Sequence, residues 1–150
     1  MNGRTPSARR ERPGRSRSRD TPSREERKEV TRRAIIAAAL TLLSDTSFSG
    51  LSLREVTREA GIVPAAFYRH FESMEALGLV LIDESFRSLR DTLRTARAGR
   101  LDTDRVIDST VEILTASVTQ QREHWRFIAR ERSSGVTVLR YAIRTEIRLI

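Results

Sequence analysis

Ser52-Leu53-Arg54-Glu55-Val56-Thr57-Arg58-Glu59-Ala60-Gly61-Ile62-Val63-Pro64-Ala65-Ala66-Phe67-Tyr68-Arg69-His70 is the stretch on which the fold turns. Ser52 and Glu55 have capping-box spacing: a serine oxygen for the N3 amide, and a glutamate reaching back to the cap amide. A short helix over residues 53–60 follows. Gly61 supplies the turn, because glycine enters left-handed backbone without a Cβ clash. Pro64 suits the first position of the next helix, where its missing N–H is not needed. That helix is expected to run through Ala65, Ala66, Phe67, Tyr68, Arg69 and His70. Two short helices joined by a glycine turn, the second basic and aromatic, make a helix-turn-helix pattern. Alone this is a weak signal. The capped amphipathic helix before it and the basic chain around it strengthen it.

The pattern on either side is helical too. After Ser23, Glu25 and Glu26 precede Lys28, Arg32 and Arg33; then Ala34, Ile35, Ile36, Ala39, Leu40 and Leu43 recur at spacings of one, three and four. This helix should end near Ser44. Residues 45–51 read as a polar loop from which Phe48 folds back onto the core. A long helix is expected over residues 73–98, with Leu77, Leu81, Phe86, Leu89 and Leu93 on its apolar face and Gly99 at its end. The next starts at Asp102 or Thr103 and repeats Val106, Ile107, Val111, Leu114 and Val118. A shorter one over residues 124–132 carries Trp125, Phe127 and Ile128, and Ser133-Ser134-Gly135 breaks it. A last helix from about Val136 carries Leu139, Ile143, Ile147 and Ile150. No strand signal competes and no internal repeat occurs. The expected fold class is all-α.

Charge narrows the partner. The chain has 28 basic and 20 acidic residues in 150, a formal net charge of +8, and Lys28 is its only lysine. Arginine forks suit phosphates and guanine edges, so nucleic acid is expected before membrane. Residues 1–22 hold Arg4, Arg9, Arg10, Arg12, Arg15, Arg17 and Arg19 against Glu11 and Asp20, with three of the four prolines. No large aliphatic residue follows Met1 there. This segment reads as a disordered basic arm, either a solubilising tail or a phosphate and minor-groove contact.

Other classes are poorly supported. No cysteine is present, which removes disulfides, thiolate zinc sites and cysteine nucleophiles and fits a reducing cytoplasm. No apolar run is long enough for a membrane span, and no apolar region follows the basic N-terminus as in a secretory signal. No HExxH, GxGxxG, P-loop or nucleophile-elbow pattern points to an enzyme, and no cofactor or metal is expected. The acidic residues sit mostly beside arginines at helical spacing and read as solvated faces. His124-Trp125 reads as an edge of the core.

Residues 35–81 resemble the DNA-binding domain of TetR-type transcriptional regulators. The likeness lies in the alanine-rich first helix, Leu51-Ser52-Leu53-Arg54-Glu55-Val56, Glu59-Ala60-Gly61-Ile62, Phe67-Tyr68-Arg69-His70-Phe71 and Glu75-Ala76-Leu77. It covers about a third of the chain. The resemblance implies a homodimer on a palindromic operator in double-stranded DNA. It divides the chain into the arm (1–22), a helix-turn-helix domain in a three-helix bundle (23–72), and an incomplete helical ligand-binding and dimerisation domain (73–150). Residues 52–64, 67–71, Leu77-Gly78-Leu79, Asp83-Glu84-Ser85 and Arg130-Glu131-Arg132-Ser133 are also similar to the subgroup that represses unsaturated fatty acid synthesis. That likeness implies a long-chain acyl thioester as effector.

The resemblance also assigns contacts. Tyr68 and His70 fall at phosphate-contacting positions, Arg54 at one that reaches a base, and Arg69 at backbone or base. Pro64 opens the recognition helix, and Ala65 and Ala66 let it enter the groove closely. For each there is a plainer role: core packing for Tyr68, and solvated surface for His70 and Arg54. Two departures stand out. Val63 replaces the family's usual serine or threonine cap, weakening it by about 1 kcal/mol. Met74 stands where a phosphate-binding lysine is common. For the effector, Leu81, Phe86, Leu89, Leu93, Val111, Leu114, Val118 and Phe127 are apolar enough to line an acyl cavity, and ordinary interhelical core fits them equally. The sequence stops at Ile150 with its apolar pattern still running, two helices short of the family's usual plan, which leads to the expectation of a truncated chain with uncovered apolar faces.

Overall fold

The computed structural model describes residues 22–98, 103–133 and 136–150. The described residues form seven α-helices and no strand, so the chain is all-α. In order they are α1 (Arg24–Leu42), a 3₁₀ turn (Phe48–Gly50), α2 (Leu53–Glu59), α3 (Pro64–Phe67), α4 (Met74–Ala98), α5 (Thr103–Gln120), α6 (Arg122–Ser133) and α7 (Thr137–Arg148). The basic arm lies outside the described residues, apart from Pro22. So do the breaks expected at Gly99 and at Ser134-Gly135.

The helix starts follow from capping chemistry. Ser23 accepts from the Glu26 amide at 3.1 Å while Glu26 accepts from the Ser23 amide at 2.5 Å. Ser52 and Glu55 repeat this reciprocal pair at α2. Ser73 accepts from the Ala76 amide at 3.1 Å and opens α4. Each cap satisfies amides that the first helical turn leaves unpaired, for about 1 kcal/mol.

One apolar core joins the ends of the molecule. Ile35, Ala39 and Leu40 of α1 meet Val56 of α2 and Phe67 of α3. The same cluster continues through Leu77, Leu81 and Phe86 of α4 into Phe127 of α6 and Leu139 and Ile143 of α7. Each fully buried side chain of this size contributes roughly 1.5–3 kcal/mol. At Gly78 the missing side chain lets Phe48 and Leu139 come close to α4. A Cβ there would lie 2.8 Å from the Phe48 ring and 2.9 Å from Leu139. Phe48 therefore folds back as the sequence suggests, but from a 3₁₀ turn rather than an irregular loop, and its ring faces Phe127 at 6.2 Å.

α1 stops at Leu42 with Leu43 as its cap, close to the expected end near Ser44. Three expectations are corrected. The helix carrying Tyr68, Arg69 and His70 is shorter than its pattern suggests: α3 ends at Phe67 and those three residues form the turn after it. Val111, Leu114 and Val118 are exposed on α5, whereas Leu81, Phe86, Leu89, Leu93 and Phe127 are buried. The former three cannot line an enclosed cavity with the latter. Glu131 is not on a solvated face; it is fully buried.

Candidate nucleic-acid interface

The turn between α2 and α3 is closed by backbone chemistry. Gly61 adopts a φ of 68°, the only positive φ among the described residues. The Ile62 amide donates to the Thr57 carbonyl at 2.9 Å and the Gly61 amide to the Arg58 carbonyl at 3.2 Å. This pair of bonds satisfies the last carbonyls of α2 and sets the angle at which the chain leaves it. A Cβ on Gly61 would meet nothing within 4 Å, so the demand for glycine is purely conformational.

α3 begins as expected at Pro64, with Val63 in extended backbone and no side-chain cap. It is held by Phe67, which is fully buried. Tyr68 packs edge-on against Phe67 at 5.6 Å, and Phe71 lies at 5.6 Å on the same ring. The Tyr68 side chain nevertheless stands 59% exposed, so packing does not consume it. The Phe71 amide donates to the Phe67 carbonyl at 3.1 Å and the His70 amide to the same carbonyl at 2.9 Å. These bonds keep Tyr68, Arg69 and His70 on a tight helical turn.

The structure thus gathers six of the seven residues singled out in sequence, Pro64 to His70 apart from Phe67, on one short helix and its exit turn. Arg54 stands one helix earlier, in the first turn of α2. Arg54, Pro64, Ala65, Tyr68 and Arg69 are exposed, and Ala66 and His70 are half-buried.

Arg32 of α1 belongs with this group and sequence reasoning passed it over. Its guanidinium lies 4.6 Å from the centre of the Phe71 ring and donates to the His70 carbonyl at 3.2 Å. The available signal was Lys28 and Arg32 one helical turn apart, on a common face. Their field is felt at His70, whose pKa is lowered from the usual histidine value. Burial is the main cause, followed by Arg32, Lys28 and Arg69, with Glu29 opposing. The His70 Nδ1 is buried without a hydrogen-bond partner. A histidine whose charged form is disfavoured by burial and by the charges of Arg32, Lys28 and Arg69, beside an exposed phenol, suits an anion supplied from outside.

The described residues contain no group of three or more histidines and carboxylates placed to hold a metal, and no helix long and apolar enough to cross a membrane.

Residues 35–79 match the family described as bacterial regulatory proteins, tetR family. The match starts in α1 at Ile35, crosses the whole of α2 and α3, and ends in the first turns of α4. It covers less than a third of the 150 residues, the part that carries Gly61, Phe67 and Tyr68. The matched stretch is the pair of short helices and the Gly61 turn between them, with the parts of α1 and α4 that pack on them.

Proposed function

We propose that the chain is a sequence-specific DNA-binding transcriptional regulator, without enzymatic activity, that acts in the cytoplasm. The observation that carries the reading is the exposed Tyr68 and Arg69 turn, set on a buried Phe67 and flanked by Arg32 and Lys28, within the tetR-family match. In this reading α3 enters the major groove. Its small Ala65 and Ala66 allow close approach, Tyr68 and His70 meet phosphates, and Arg54 and Arg69 reach bases or backbone. Phosphate contacts fix register, while an arginine on a guanine edge carries discrimination. Residues 23–72 form the DNA-binding part and 73–150 the part that responds and assembles.

The experiment is selection of bound sites from randomised duplex DNA, followed by gel shift of the recovered site against excess non-specific duplex. A recovered consensus with two-fold symmetry supports the reading. Binding that non-specific DNA competes away completely overturns it. Tyr68→Phe is expected to weaken selected and unrelated duplexes by the same factor, the behaviour of a phosphate contact.

The finer proposal is a homodimeric repressor of unsaturated fatty acid synthesis genes that answers a long-chain acyl thioester. It rests on the resemblance through residues 52–64, 67–71, 77–79, 83–85 and 130–133. A groove of ≈ 560 Å³ between α1 and α4 has Ile36, Ala37 and Leu40 on its wall but is rimmed by Arg32, Arg33, Arg87, Glu29, Glu84 and Asp91. Its mixed charge does not suit an acyl chain, so no effector residue is assigned. Long-chain acyl-CoA at saturation should change operator affinity and raise Tm, since a ligand of the native state stabilises it. A folded, operator-binding chain that shows neither overturns the finer proposal.

A further inference from the structure

The end of α1 is closed by the Leu43 amide on the Ala39 carbonyl and by the Ser44 hydroxyl on the Leu40 carbonyl, which leaves the carbonyls beyond it and the Phe48 amide to find partners elsewhere. No basic residue occupies the last turn of α1, and no side chain of the segment caps the 3₁₀ turn at Phe48. Two consecutive residues of α6 supply what is missing. Arg130 donates to the carbonyls of Leu43 at 3.0 Å, Ser44 at 3.3 Å and Thr46. Glu131 accepts from the Phe48 amide at 2.9 Å, across 83 positions of sequence. The cation sits at the negative end of α1 and the carboxylate at the positive start of the 3₁₀ turn, the arrangement that backbone dipoles favour.

Glu131 is not a cheap way to gain stability. Glu131 is fully buried, and its Oε2 has no hydrogen-bond partner. A buried carboxylate with an unsatisfied oxygen costs free energy that an apolar side chain of the same size would not. What the arrangement secures is position. The Phe48 amide is held by Glu131, its ring is wedged against Gly78 of α4, and three residues later Leu51 enters the core just ahead of the Ser52 cap.

We propose that Arg130 and Glu131 form a clasp that sets where the helix-turn-helix sits on the helical body, making both of them positioning residues for DNA recognition although neither lies on the recognition turn. The proposal rests on the DNA-binding reading above. It gives the Arg130-Glu131 pair a role independent of any effector.

The test uses the full chain and the tightest duplex recovered by selection from randomised DNA. Amide exchange at Phe48 is measured on the protein alone, and operator affinity by titration. Glu131→Leu removes the acceptor and should lower Phe48 protection about ten- to hundredfold, as expected for a hydrogen bond to a charged group. Operator affinity should fall with it by roughly tenfold or more, while helix content is kept. Glu131→Gln keeps an acceptor oxygen and should restore both. Arg130→Met retains an apolar stem, removes the donors, and is expected to weaken operator binding without unfolding the chain; it decides the matter should Glu131→Leu fail to fold. Unchanged Phe48 protection in Glu131→Leu overturns the clasp. Lost protection with unchanged operator affinity, or unchanged affinity in Arg130→Met, overturns its positioning role. A wild-type chain that selects no sequence overturns the DNA reading itself, and the Phe48 measurement on free protein separates that outcome from failure of the clasp.

Discussion

Around α3, the exposed residues Pro64, Ala65, Tyr68 and Arg69 stand on a fully buried Phe67, and Arg32 braces the turn from α1. On α5, the large apolar residues Val111, Leu114 and Val118 are exposed, at 57%, 38% and 48%. Those are the positions whose helical spacing marks an inward face. The first surface is polar and aromatic with a packed layer behind it. The second is an apolar row that no helix covers among the described residues. Periodicity says which residues share a face of a helix; it does not say whether another element lies against that face.

The comparison is broken most severely by removing the layer under α3. Phe67→Ala should cost about 3–5 kcal/mol, as aromatic truncations in cores do. Phe67 supports Tyr68 and Phe71 at once, so DNA binding should disappear with it. Denaturant titration beside a gel shift measures both. A stable Phe67→Ala chain would show that the α3 turn does not depend on its aromatic layer.

Arg54→Ala comes next and leaves the layer intact. Arg54 is exposed in the first turn of α2, so its loss should barely affect stability. If it reads a base, discrimination between the selected site and a point-mutated site should fall by about 1–3 kcal/mol. Equal losses on both duplexes would make it a phosphate contact instead.

How legible these regions were depends on how local the deciding physics is. The Ser52–Glu55 cap, the Gly61 turn and the Pro64 start are settled within a few residues, and the structure has them where the spacing puts them. The length of α3 was over-read because Tyr68, Arg69 and His70 carry no stop signal; the turn is set by the Phe67 carbonyl, which takes amides from both His70 and Phe71. Arg32 and Glu131 were missed for a related reason. Their partners lie 38 and 83 positions away, and a charge on a helix looks solvated until the fold brings something to it.

His70 provides a smaller and pH-dependent contrast. Burial and the cations Arg32, Lys28 and Arg69 hold its pKa below the usual value, with Glu29 opposing. The unfolded chain therefore binds this proton more readily than the folded one. Its contribution to stability is present above a pH of about 6.5, the unfolded histidine value, and is lost as pH falls through the lowered folded pKa. A phosphate at the site would reverse the balance and raise the pKa in the complex. Acidification should then weaken the free fold while it strengthens DNA binding. His70→Gln should flatten the binding profile between pH 5 and 7 on the order of one proton's worth. An identical slope in wild type and variant would place His70 outside the contact. The second histidine, His124, also has a pKa lowered mainly by burial, so the comparison must be between variants rather than between pH values alone.

The smallest effect belongs to α5, and it is sharpest as a matched pair. Val56 and Val118 are the same residue on helices, but Val56 is fully buried beneath α1 and Val118 is 48% exposed. Val56→Ser removes apolar contacts and buries a hydroxyl, and should cost about 2 kcal/mol or more. Val118→Ser removes a side chain that is already half in water, and should change stability by no more than about 0.5 kcal/mol. Both are read from the same denaturant midpoint at fixed slope. A Val118→Ser cost comparable to that of Val56→Ser would mean that the α5 row is covered in solution. Dilution would then distinguish the source: a cost that vanishes at low protein concentration points to another molecule against the face, because only an intermolecular contact depends on concentration.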